Sequence, residues 1–132
     1  MAKPLVKLKV RIPEYRRPRT AWRREIHRVV AEVLQQRRIR YSDRDRFEIV
    51  LRLYLSKSKL RLVDIDNRLK DVLDALQGHV GGAGRKHRML KPLIPNDNQI
   101  FRVIAEKGLP PKQSTQGRGH LTIRRYKGPN YH

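Results

Sequence analysis

The sequence contains no cysteine, and its 132 residues include only 12 acidic side chains. Without cysteine the chain has neither a disulfide framework nor a thiolate metal site, which excludes zinc-finger and thiol-nucleophile chemistry. No apolar run approaches the ~20 residues that span a membrane, and the first twelve residues alternate between polar and apolar where a signal peptide would be uniformly apolar. We therefore expect a soluble cytoplasmic protein.

Basic residues are abundant where acidic ones are scarce. Lysine and arginine together number 32, so the formal net charge is +20 at pH 7. Such a surplus repels itself unless a polyanion neutralises it, and nucleic acid is the commonest polyanion in a cytoplasm. The composition therefore predicts a nucleic-acid-binding protein, and the length predicts one domain covering residues 1–132.

Hydrophobic periodicity predicts alternating strands and helices. Period-two alternation predicts strands and steps of three and four residues predict helices, with Thr20 as the candidate cap of the first helix. The predicted strands are 5–12, 47–55, 100–106 and 121–126, and the predicted helices are 20–34 and 66–77. This β-α-β-α-β-β order indicates a single α/β (α+β) domain, with a small mixed sheet on which the helices pack. The predicted domain also contains three segments outside these strands and helices: a basic link at 56–61, a Gly-rich basic excursion at 78–95 and a frayed tail at 127–132.

The few acidic residues are concentrated in one segment. Asp64, Asp66, Asp71 and Asp74 lie within eleven residues, and Asp64 is flanked by valine and isoleucine. Crowded carboxylates repel one another unless a cation lies between them, and Mg²⁺ prefers carboxylate oxygens. We therefore predict a metal site at Asp64 and Asp66, with Asp97, which precedes a predicted strand, as a third carboxylate.

A structural interpretation of the same residues remains open. Asp66 is also suited to cap a helix, Asp71 and Asp74 to form its solvated face, and Asp97 to start a turn. Lys70 lies one helical turn beyond Asp66, so an intrahelical ion pair with Asp66 or Asp74 is its alternative role.

Three short motifs carry a family resemblance. Residues 64–70 read DIDNRLK, residues 74–76 read DAL and residues 97–99 read DNQ. In this spacing the chain resembles the RusA family of Holliday-junction resolvases. The resemblance implies a homodimeric, Mg²⁺-dependent endodeoxyribonuclease of DNA recombination and repair, with Mn²⁺ as a substitute metal. By position, Asp64, Asp66 and Asp97 would bind metal, and Lys70 would assist.

The expected chemistry is metal-assisted phosphodiester hydrolysis on nucleoid DNA. In a two-metal site one ion lowers the pKa of a bound water and the other stabilises the leaving oxygen. A four-way junction requires two matched cuts, which a two-fold dimer supplies. Two alternatives stay open: a nuclease for flaps or other branched DNA, and a non-catalytic, ribosome-associated binder whose acidic cluster is structural.

Basic residues outside the acidic segment are candidates for contact with DNA phosphates, which position a protein without reading sequence. The glycines and bases of 78–95 also predict a DNA-contacting arm. The candidate DNA-binding residues are Arg16, Arg17, Arg19, Arg23, Arg24, Lys57, Lys59, Arg61, Arg85, Lys86 and Arg88.

Overall fold

The structure, a computed structural model, describes residues 7–81 and 89–128. The described strands are β1 (Leu8–Ile12), β2 (Phe47–Tyr54), β3 (Ile100–Gly108) and β4 (Gly119–Arg125). The described helices are α1 (Arg19–Gln36), α2 (Lys57–Leu60) and α3 (Ile65–Leu76). Single 3₁₀ turns at Asp97–Gln99 and Gln113–Thr115 precede β3 and β4.

The four strands form one mixed sheet in the order β1-β4-β2-β3. β4 is antiparallel to both β1 and β2, and β2 is parallel to β3. A parallel pair needs a crossover connection, which α2, α3 and the following segment supply. The prediction of a single α+β domain with a small mixed sheet is confirmed.

The hydrophobic core lies between one face of the sheet and the helices. Every second residue of β1 and β2 points into it, as the period of two requires, and α1 contributes residues four apart along one face. The largest fully buried side chains include Trp22, Ile26 and Val30 of α1 with Phe47 and Ile49 of β2. α3 adds Val72, Ala75 and Leu76, so that both long helices pack on the same sheet face.

Helix boundaries differ from the sequence prediction at two places. The predicted cap at Thr20 is wrong: α1 begins at Arg19, and the carbonyl of Pro18 accepts hydrogen bonds from the amides of Ala21 and Trp22 at 3.0 and 3.3 Å. The predicted basic link at 56–61 contains the short helix α2, whose Leu60 packs against the core. None of the described helices combines the length and apolar character needed to cross a bilayer.

The ends of the predicted excursion belong to the fold. His79 and Met89 form an antiparallel bridge, and the amide of Leu90 donates to the carbonyl of Gly78 at 2.8 Å. Val80 and Ile94 are fully buried. Both described ends of the predicted excursion therefore pack against the domain, with Ile94 in the main core cluster. Residues 82–88, and the tail beyond residue 128, lie outside the described residues.

Candidate active site

Asp64 serves as the N-cap of α3. Its Oδ1 accepts a hydrogen bond from the amide of Asp66 at 3.1 Å, and its Oδ2 accepts one from the Asn67 side chain at 2.9 Å. Capping satisfies amides that the first turn of a helix leaves without partners. Asp64 is also exposed, so the valine and isoleucine that flank it in sequence do not bury its carboxylate. Asp66 lies within the first helical turn, where its charge complements the helix dipole.

A groove runs along the exposed side of α3 towards the start of β3. Its volume is about 550 Å³, and its polar lining comprises Asp66, Lys70, Asp74, Gln77, His79 and Asp97. Side chains four residues apart lie one above the other on a helix, so Asp66, Lys70 and Asp74 follow a single line along α3. The apolar side chains Leu69 and Leu73 from α3, with Ile100 and Val103 from β3, complete the groove.

Hydrogen bonds on both sides of Asp97 hold it at this groove despite the long connection from α3. The Gln77 side chain donates to the carbonyl of Ile94 at 3.0 Å, and the amide of Leu93 donates to Leu76 at 2.9 Å. The buried Gln99 side chain donates to the carbonyls of Ser42 and Asp45 at 2.9 and 2.8 Å. The turn between these anchors places Asp97 beside the α3 line. Asp66 and Asp97 thus share one groove, whereas Asp64 lies outside its lining.

The carboxylates do not form a closed cage for a metal ion. In residues 7–81 and 89–128, no three His, Cys, Asp or Glu side chains lie close enough together to hold one. Mg²⁺ does not need such a cage, because it keeps several waters and is commonly held by one or two carboxylates together with substrate phosphates. Asp66 and Asp97 supply that donor set, and both side chains are exposed. Asp66 and Asp97 therefore lie in one groove as exposed carboxylates, and the described residues do not form a three-carboxylate cluster.

Lys70 lies in the groove, and its ammonium group has no carboxylate partner among the described residues. All twelve acidic side chains of the chain lie in the described residues, and none of them is within salt-bridge distance of Lys70. The alternative role of Lys70, an intrahelical ion pair with Asp66 or Asp74, is absent from this arrangement. Its charge is available to an anion that enters the groove.

Asp71 forms a buried ion cluster with three arginines. Its side chain is fully buried between α3 and α1, with Arg19 Nε and Arg23 Nε both 2.9 Å from its Oδ1. Arg68 Nη2 lies 3.1 Å from its Oδ2, and the Arg68 guanidinium stacks 3.5 Å from the ring centroid of Tyr15. The predicted solvated position of Asp71 is therefore wrong. Two of its three partners lie about 50 positions away in sequence, so only the Arg68–Asp71 spacing of three gave a local signal.

Asp74 combines a groove position with an ion pair. Arg23 Nη2 lies 3.2 Å from Asp74 Oδ2, and the Arg23 side chain is only 13% exposed. Arg23 therefore links the buried Asp71 to the groove-lining Asp74, and one cation holds two neighbouring positions of α3. This connection couples the position of α1 to the helix face that carries Lys70.

One further lysine fixes the turn that precedes α3. Lys107, on β3, donates from its Nζ to the carbonyls of Leu60 and Val63 at 2.6 and 2.8 Å. These carbonyls lie at the end of α2 and just before Asp64. Sequence reasoning missed Lys107, because nothing in the local pattern of β3 indicates which distant carbonyls it meets.

The predicted DNA-binding residues fall into distinct groups. Arg16, Arg17, Arg24, Lys57 and Arg61 are exposed, and Lys59 is exposed with its Nζ 3.5 Å from Glu14. Arg19 and Arg23 direct their guanidinium groups to Asp71, which leaves the Arg19 side chain 41% exposed. Arg85, Lys86 and Arg88, and with them the predicted DNA-contacting arm, lie outside the described residues.

Comparisons with protein-family models, curated proteins and solved structures found no match to this chain.

Proposed function

We propose that this protein is a Mg²⁺-dependent, structure-specific endodeoxyribonuclease that resolves four-way DNA junctions by paired nicks, acting as a homodimer on nucleoid DNA in the cytoplasm. One observation carries the proposal: Asp66, Lys70 and Asp97 line a single groove in a protein of net charge +20. Two exposed carboxylates beside an unpaired ammonium group suit a cation and a phosphate together. The resemblance of the same residues to the RusA motif supports this assignment.

In this proposal five groove-lining residues contribute to phosphodiester hydrolysis. Asp66 and Asp97 would hold Mg²⁺, which when bound supplies an activated water and charge neutralisation at the phosphate. The Lys70 ammonium donates to a phosphoryl oxygen and stabilises the negative charge that develops on it. Leu69 and Leu73 exclude water from one side of the groove, which strengthens these charge interactions. Asp64 acts on the site indirectly, by starting α3 at the position that sets the direction of Asp66.

A second candidate function is supported by a different observation. Asp64 caps α3, and Asp71 and Asp74 pair with arginines, so three of the four clustered aspartates have structural partners. A non-catalytic, ribosome-associated nucleic-acid binder would need nothing more from them. Under that function Asp66 and Asp97 are surface carboxylates without a ligand.

Cleavage in the presence of metal separates the two functions. Purified protein is incubated with an end-labelled four-way junction, a flap and a linear duplex, each with Mg²⁺, Mn²⁺ or EDTA. The proposal expects symmetric nicks in the junction with either metal and binding without cleavage in EDTA. Binding without cleavage under every condition would establish the non-catalytic function, and preferential cutting of the flap would reassign the substrate.

A further inference from the structure

The sheet has a second face, opposite the helices, which we call the open face. Val50 on β2 pairs with Thr122 on β4 and with Ile104 on β3, which places these three side chains in one row across the sheet. Val50 and Thr122 are nearly buried, yet Val50 lies outside the main core cluster. Neighbouring side chains of the open face therefore cover this row. It forms a narrow, uncharged floor between two charged rows.

One edge of the open face carries a line of cations. Lys7, Lys9 and Arg11 alternate with the buried residues of β1 and are all exposed. A strand rises about 3.4 Å per residue, so these cations recur at about 6.8 Å intervals. In the part of the chain that the structure describes, which includes every acidic side chain, none of the three has a carboxylate partner. A linear array of unpaired cations suits a linear polyanion.

The two carboxylates of the open face are already neutralised. Glu48 is nearly buried and pairs with Arg124 and with Arg102, the latter at 3.2 Å. Glu106 pairs with Arg52 at 2.7 Å. Three arginines thus pair with two glutamates, which leaves one positive charge in excess. The three cations at the β1 edge add to that excess. The face carries six Lys and Arg side chains against two Glu.

A small pocket of about 110 Å³ opens among these cations, with Lys9, Arg52 and Arg124 in its lining. Tyr54 and His120 also line it, and the Tyr54 hydroxyl lies 2.9 Å from His120 Nδ1. Burial lowers the pKa of His120, and the positive charges of Lys9, Arg11 and Arg52 lower it further. A hydroxyl, an imidazole and several cations around a small volume match the size and the hydrogen-bonding capacity of one phosphate group.

We propose that the open face binds the phosphate backbone of a nucleic-acid strand, as a contact surface separate from the α3 groove. Charge complementarity identifies this occupant, because a phosphate backbone presents regularly spaced anions to regularly spaced cations. A second copy of the chain would bring two positively charged faces together, which electrostatic repulsion opposes. The inference does not depend on nuclease activity, since binding by the open face needs neither metal nor cleavage.

The test compares the salt dependence of binding between two triple variants. The first replaces the β1 cations: Lys7→Gln, Lys9→Gln and Arg11→Gln. Affinity for a 20-bp duplex is measured in EDTA, where metal-dependent cutting does not occur, at several salt concentrations. Removing one cation that neutralises a phosphate makes the slope of log affinity against log salt shallower by about 0.9, so the triple variant should change the slope by up to about 2.7.

The control triple variant removes the same charge from outside the open face: Arg40→Gln, Arg44→Gln and Lys112→Gln, three exposed positions. It is expected to change the slope by less than about 0.9, the effect of one phosphate-binding cation. Equal slopes for the two variants would overturn the proposal, because net charge alone would then explain the binding.

Two further readouts locate and identify the occupant. The imidazole signals of His120, assigned with His120→Gln, should shift in the NMR spectrum when the duplex is added to the wild type in EDTA. An unchanged His120 signal under saturating duplex would contradict contact at this pocket. Polyglutamate of matched charge should compete weakly; if it shifted His120 and bound as tightly as DNA, the occupant would be an acidic peptide and the nucleic-acid assignment would be wrong.

Discussion

The clustered aspartates differ in what surrounds their carboxylates. Asp71 is surrounded by guanidinium groups in the interior, and both oxygens of Asp64 accept hydrogen bonds from the first turn of α3. Asp66 and Asp97 are exposed at the groove beside the unpaired Lys70. Exposed carboxylates remain available to bind a cation, whereas Asp71 already has its counter-charges.

The substitution Asp66→Asn is expected to remove cleavage and keep binding. An amide is a poorer ligand for Mg²⁺ than a carboxylate, and removal of one negative charge also reduces repulsion of phosphate. Junction cleavage should fall by about 100-fold or more, the scale observed when a single charge-stabilising group is removed. Junction affinity, measured by gel shift in EDTA, should be unchanged or tighter. Asp43→Asn, at an exposed loop position, is the matched control and should cut normally. Parallel loss of binding and cleavage in a folded Asp66→Asn protein would argue against a catalytic role.

The substitution Asp71→Asn is expected to destabilise the fold strongly. It keeps the shape of the side chain but leaves Arg19, Arg23 and Arg68 around a neutral amide. Breaking a buried ion cluster from one side costs about 3 to 5 kcal/mol. Urea unfolding followed by the fluorescence of Trp22 measures the change. Asp43→Asn, again the control, should stay within about 0.5 kcal/mol of the wild type. If Asp71→Asn changed the free energy of unfolding by a similarly small amount, the three arginines would not depend on the Asp71 charge for their positions.

At the level of elements, α3 and the segment after it position the groove together. α3 buries one side against α1 and the sheet and presents the Asp66, Lys70 and Asp74 line on another. The chain then turns at Gly78, and the paired stem around His79 and Met89 returns it to the core. Asp97 depends on this return, since the turn that carries it follows the buried Ile94.

The substitution Gly78→Ala tests that return. Gly78 has φ of +83°, and an added Cβ would lie 2.1 Å from the carbonyl oxygen of Leu90. A left-handed conformation alone costs a non-glycine residue about 1 to 2 kcal/mol, and the backbone clash adds to it. We expect the free energy of unfolding, measured with urea, to fall by at least about 1 kcal/mol, and junction cleavage to be reduced. Gly108→Ala is the control, because an added Cβ there meets nothing within 4 Å. Equal stability of the two variants would show that the stem at Gly78 adjusts freely.

At the scale of the whole molecule, the +20 charge has opposite effects on the two kinds of association that the proposed function needs. The charge favours binding to DNA at low salt, but it opposes the association of two copies of the chain. Paired cutting of a junction requires two sites, so the proposed dimer must bury enough surface to overcome this repulsion. Salt screening reduces the repulsion, with a Debye length of about 8 Å at physiological ionic strength.

A mixing experiment on a supercoiled plasmid with an extruded cruciform tests the dimer. Wild-type protein is expected to make two cuts and yield linear DNA. After co-refolding with an excess of the Asp66→Asn variant, mixed dimers should make one cut and yield nicked circles. Co-refolding with an excess of Asp43→Asn should leave the linear product unchanged. Nicked circles as the main product of the wild type alone would indicate that each chain cuts independently and would contradict the dimer.

The local sequence predicts the order of the four strands and the two long helices, and it also identifies candidate residues for the chemistry. Period-two alternation in 47–55 and helical spacing in 66–77 depend on local sequence, because each element buries one side of its own surface. The same local information identified Asp66, Lys70 and Asp97 as candidates, since their spacing is typical of a known motif.

Tertiary structure decided which of these residues meet. Interactions such as those of Asp71 with Arg23, and of Gln99 with the carbonyl of Ser42, join positions about 50 residues apart or more, and no local periodicity encodes such pairs. Packing of both long helices on one side of the sheet separated the α3 groove from the open face. The sequence offered Asp66 as a helix cap, whereas in the structure Asp64 caps α3 and accepts a hydrogen bond from the amide of Asp66. A residue's local pattern sets what it can do, but its neighbours in the fold determine which of those roles it has.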